Sequence, residues 1–64
     1  MTRVVTVWWR QGSEQRRDDF TAPHVRSQPL GRGWQIELCD EQWQVIAAEQ
    51  FRKVDRVSIR RTDG

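Results

Sequence analysis

A chain of 64 residues can enclose one small core and bury only about 60% of the surface its unfolded form exposes, so one domain over residues 1–64 is expected. Hydrophobic residues make up 36% and charged residues 31%, a thin apolar supply whose clustering in Trp, Val and Ile still favours a folded domain over a disordered one. Eleven basic residues against nine acidic ones leave a net charge of +2, too small an excess to indicate nucleic acid by itself.

Ten of the eleven basic residues are Arg, which brings bidentate recognition of carboxylate or phosphate, although GC-rich codon usage produces the same bias. Cys39 is the single cysteine, so no internal disulfide staples the fold and a reducing cytoplasm is the expected location. No signal peptide, membrane-spanning run or lipidation motif is present, and no membrane partner is expected.

The first predicted strand runs from about Arg3 to Arg10. It turns back at Gly12 into a polar second strand near Gln15 to Phe20. Pro23 separates this from a weak third strand at His24 to Gln28. After the turn at Pro29-Leu30-Gly31-Arg32-Gly33 comes the clearest alternation, Trp34-Gln35-Ile36-Glu37-Leu38, with the apolar residues inward.

The segment from Asp40 to Val54 reads in two ways. As a helix, Asp40 is its N-cap and Trp43, Ile46, Ala47, Phe51 and Val54 form a stripe. As a strand, Trp43, Val45 and Ala47 share a face. The reading adopted is a strand through Ile46, one helical turn over Ala47 to Arg52, and a closing strand around Val57-Ser58-Ile59, with a helix over 41–53 as the alternative.

The expected fold is therefore mainly β, a small antiparallel sheet or a barrel that resembles the SH3-like fold, with one short helical turn before the last strand. Such barrels host protein-binding, RNA-binding and DNA-binding members alike, so the fold does not choose a function. The expected inward set is Val5, Val7, Trp9, Phe20, Trp34, Ile36, Leu38, Trp43, Val45, Val54, Val57 and Ile59.

Catalytic chemistry is poorly provided for. His24 and Cys39 are the lone members of a formal Cys-His pair. Two soft ligands are too few for zinc, the glycines have no phosphate-binding spacing, and a domain this small is not expected to bury a substrate pocket of about 300 Å³ or more. No catalytic residue, cofactor or metal is assigned, and an enzyme is not expected.

What remains is surface chemistry. With Val5, Val7 and Trp9 inward, Val4, Thr6, Trp8 and Arg10 face out together. The chain's basic surplus lies near the other terminus, in Arg52, Lys53, Arg56, Arg60 and Arg61, and first and last strands are often neighbours in small barrels. Trp8, Arg10, Arg52, Lys53, Arg56, Arg60 and Arg61 are thus the predicted partner-binding residues, with Arg16 and Arg17 a second docking candidate. The blander reading of Trp8 is a cation–π contact with Arg stems that supports a thin core.

A small protein-protein adaptor or inhibitor acting through this Trp/Arg face is the function expected from these features. The alternatives are a nucleic-acid-binding accessory protein using the C-terminal Arg/Lys cluster and a structural subunit of a homo-oligomer.

Overall fold

The computed structural model describes residues 2–62. The chain forms six strands, β1 (Thr2–Gln11), β2 (Glu14–Ala22), β3 (His24–Leu30), β4 (Gly33–Cys39), β5 (Val45–Arg52) and β6 (Val54–Thr62). They make two three-stranded antiparallel sheets, ordered β2-β1-β6 and β3-β4-β5. The mainly β expectation therefore holds, but as two sheets rather than a closed barrel, and there is no helix among the described residues.

Turn chemistry explains the hairpins. Gly12 and Gly31 stand at φ 62° and 60°, in the left-handed region where a residue without Cβ is at ease. The crossings between sheets are single residues. Pro23 takes the chain from β2 to β3, and Lys53 returns it from β5 to β6 at φ 54°, a conformation unusual for a side chain with Cβ.

The core follows from alternation. Val5, Val7 and Ile36 are fully buried and Phe51 is 9% exposed, surrounded by Trp9, Phe20, Val25, Trp34, Leu38, Val54 and Val57. Phe51 is the hinge of this packing: its ring lies 5.8 Å from Trp9 and 6.1 Å from Phe20, both tilted, the geometry aromatic pairs prefer. The Cα trace measures only 36 × 24 × 13 Å, so the core is one layer of side chains between two sheets.

Two expectations need correction. The helical turn over Ala47 to Arg52 does not form, nor does the alternative helix over 41–53. These residues are strand, with Ala47 opposite Leu38 and Phe51 opposite Trp34. Helix propensity is a weak prior that tertiary context overrides, and here the buried strand β4 needs a second ladder partner while Phe51 reaches the core only with strand parity. Phe51 was accordingly missing from the expected inward set.

The second correction concerns Trp43, Val45 and Ile59, which are 48%, 48% and 43% exposed rather than inward. Trp43 belongs to the β4–β5 connection at φ 64°. Val45 begins an edge strand that the first sheet does not cover. Ile59 pairs with buried Val5 but sits on β6, the other open flank of its sheet.

Candidate functional site on the outer face of the first sheet

The tight turn at Gly12-Ser13 sets Gln11 opposite Glu14. Counting back along the ladder, Trp8 faces Arg17 and Thr6 faces Asp19. On the other flank β6 places Arg56 opposite Trp8, Ser58 opposite Thr6 and Arg60 opposite Val4. Cross-strand partners share a face, so one surface carries Arg17, Trp8 and Arg56 in a row.

The row is a stack. The Arg56 guanidinium lies 4.9 Å from the Trp8 ring centroid and that of Arg17 lies 5.8 Å away, within the range of cation–π attraction. Trp8 is half-buried by this cover. This is the cation–π packing of Trp8 against Arg side chains that the blander reading expects.

Beside the stack the charges are tied down. Thr6, only 1% exposed, donates its hydroxyl hydrogen to Asp19 Oδ1 at 2.6 Å, and Arg17 Nε reaches the same oxygen at 3.4 Å. The Thr6 hydrogen bond holds the Asp19 carboxyl below its ordinary pKa. Partial desolvation opposes this, and Arg17 and Arg60 add to the lowering.

A bulge between Trp8 and Trp9 leaves Asp55 without a partner on β1. Its carboxylate accepts from Arg10 Nε at 3.0 Å and Gln15 Nε2 at 3.4 Å. An exposed pair of this kind contributes little to stability. Its consequence is that Arg10 is partly neutralised, while Arg56 and Arg60 form no ion pair among the described residues.

The other predicted residues divide. Arg61 alternates with Arg60 and so lies on the opposite side of the sheet, across from Arg3. Arg52 and Lys53 mark the β5–β6 corner, where the Lys53 carbonyl accepts the Arg10 backbone N–H at 3.1 Å. Two open clefts of about 700 and 650 Å³ flank this corner, the first floored by Leu30, Trp34 and Phe51, the second by Trp9 and Phe51. The sequence pointed to no such space. Arg16, the other member of the second docking candidate, contacts Glu14 at 3.4 Å instead.

A second aromatic group went unrecognised in the sequence. Asp40 Oδ1 accepts the backbone N–H of Gln42 and of Gln44, both at 2.9 Å, and this folds the loop so that Trp43 stacks on His24 at 4.0 Å and 12°, with Arg26 at 5.4 Å. His24 stands opposite Cys39 in the ladder. Its ring is engaged by Trp43, and Cys39 is a free, buried thiol.

Comparison with family models, with curated proteins and with solved structures gives no match. Among the described residues, no helix is long and apolar enough to cross a membrane.

Proposed function

We propose that this chain is a small non-enzymatic protein-binding module, an adaptor or inhibitor acting in the cytoplasm, that engages its partner through the outer face of the first sheet. The observation that carries this reading is the Arg17–Trp8–Arg56 stack. Trp and Arg are the residues that dominate interface energetics. Here both guanidinium groups already rest against the ring, so less rotamer freedom remains to be lost when a carboxylate or carbonyl of a partner accepts their hydrogens.

The same stack counts against nucleic acid. A base stacks on a bare aromatic face, and the Trp8 ring already carries two guanidinium groups. Asp19 and Asp55 sit on this surface as well. The C-terminal Arg/Lys cluster is also divided, with Arg61 behind the sheet and Arg52 and Lys53 at the corner.

Capture from host extract with parent and Trp8→Ala, identifying bound protein and bound nucleic acid together, tests the reading. Trp8→Ala is expected to weaken the protein complex by about 2 kcal/mol or more, and changes at Arg10 or Arg60 by less. Tight, salt-sensitive oligonucleotide binding abolished by Arg56→Glu with Arg60→Glu would replace this proposal with a nucleic-acid one.

A further inference from the structure

The four open flanks of the two sheets differ in how they discourage pairing. β2 is charged at Glu14, Arg16, Arg17, Asp18 and Asp19; β6 carries Asp55, Arg56, Arg60 and Arg61 and a bulge; β3 has Arg26 and Pro29. Charge, proline and bulges are the devices that keep edge strands single. β5 has a register slip at Ile46 and charges at Glu49 and Arg52, but its N-terminal half, Val45-Ile46-Ala47-Ala48, is uncharged.

Seven of the eight β5 residues are exposed, with Ile46 at 63%. The first sheet does not reach the N-terminal half of this strand, which is open at its edge and on both faces. In a domain with so thin a core, apolar strand left this bare is a surface for association.

We propose that β5 is a dimerisation edge, pairing antiparallel with β5 of a second copy of this chain across a two-fold axis, so that two three-stranded sheets become one of six strands. Charge selects this occupant and this direction. Asp40 and Glu41 precede β5, whereas Arg52 and Lys53 end and follow it, and none of the four forms an ion pair among the described residues. Eight residues of strand separate the two ends by about 25 Å. Antiparallel self-pairing turns the acidic end of each copy toward the basic end of the other, twice, with Glu41 three positions along the chain from the residue that faces Arg52; parallel pairing would superpose like charges.

Symmetry also narrows the centre. A two-fold axis normal to the sheet preserves faces, so the central residue meets its own copy. Ala48 does so with a methyl group, and then Gln44 faces Arg52 of the second copy and Ala47 faces Glu49. A centre at Glu49 would oppose two carboxylates. The outer face of the first sheet takes no part, so this inference stands apart from the proposed function.

Sedimentation equilibrium from micromolar to near-millimolar chain is expected to show the 7.7 kDa species giving way to one of twice the mass. Ala48→Lys, an exposed change that leaves the monomer's melting temperature unaltered, should weaken dimerisation at least tenfold. In a second arm, Ala48→Cys should oxidise to a disulfide dimer while Gln28→Cys, on the opposite edge of the same sheet, stays monomeric. A parent that remains monomeric at every concentration, an Ala48→Lys chain that dimerises as the parent does, or equal cross-linking through Gln28→Cys overturns the proposal.

Discussion

Trp8 and Trp43 both lie outside the core and both stack against cations, yet they are built differently. Trp8 is on the central strand of the first sheet, and the register of two ladders delivers Arg17 and Arg56 to its ring. Trp43 sits in a connection, at φ 64°, and is brought to His24 and Arg26 by the hydrogen bonds of Asp40. One stack is a product of sheet formation and is as permanent as the sheet. The other depends on five loop residues and the edge strand they introduce. The lesson is that in a domain this small an exposed tryptophan acquires its role from the backbone that carries it.

The largest test of this division is Phe51→Ala against Trp43→Ala. Phe51 alone of β5 is buried, and it touches Trp9 and Phe20 across the sheets. Its truncation should cost about 3–5 kcal/mol, comparable with the stability of the whole domain, and leave the chain largely unfolded. Trp43→Ala, at a half-exposed site, should cost about 1 kcal/mol, the worth of its stacking. Urea denaturation of both variants decides it, and equal losses would mean that the loop stack is structural after all.

The two inward tryptophans sharpen the comparison. Trp9 Nε1 donates to Asp18 Oδ2 at 2.7 Å, whereas the buried Trp34 Nε1 has no partner. Trp9→Phe strands a carboxylate and should cost about 2 kcal/mol. Trp34→Phe removes an unsatisfied donor with the lost ring, so the two effects offset and its midpoint should stay close to the parent's. A Trp34→Phe loss as large as that of Trp9→Phe would show that ring volume dominates both sites.

Trp8→Ala comes next. Two cation–π contacts at about 0.5–1 kcal/mol each put the expected loss near 1–2 kcal/mol. A double-mutant cycle of Trp8→Ala with Arg56→Gln should return a coupling of about that single-contact size, and a coupling of zero would mean the guanidinium is merely nearby.

Much of this surface was legible in the chain. The parity of Val5, Val7 and Trp9 turned Trp8 outward, and the neighbouring of first and last strands joined it to Arg56. Arg17 was legible as well, because a two-residue turn at Gly12-Ser13 dictates that it faces Trp8. The fate of Ala47 to Arg52 was not legible. Ala, Glu, Gln and Arg favour helix locally, and only the distant requirement of β4 for a partner decides for strand. Trp43 was unreadable for the opposite reason, since a left-handed residue in a five-residue loop leaves no periodic trace. The division of the basic cluster followed from alternation, which parts Arg60 from Arg61, and from the β5–β6 corner at Arg52 and Lys53, which the expected helical turn concealed.

The smallest effect is electrostatic and isolates Thr6. Its hydrogen bond is the largest single cause of the lowered Asp19 pKa, and Arg17 adds to it through both its charge and its own hydrogen bond. A carboxylate whose folded pKa lies below its unfolded value adds stability that is fully present above the unfolded value, near pH 4, and is lost as pH falls through the folded one. Thr6→Val keeps the shape of a site that is 1% exposed and withdraws the donor. Asp19 should then titrate at higher pH, nearer its ordinary value, when followed by the carboxyl carbon shift. The melting temperatures of parent and variant should differ by a constant amount at neutral pH, and that pH-dependent part of the gap should close only in acid, below the unfolded value. If Arg17→Gln raises the Asp19 pKa more than Thr6→Val does, the ion pair rather than the buried hydroxyl holds this carboxylate. The first sheet's outer face would then owe its order to exposed charges that salt can screen.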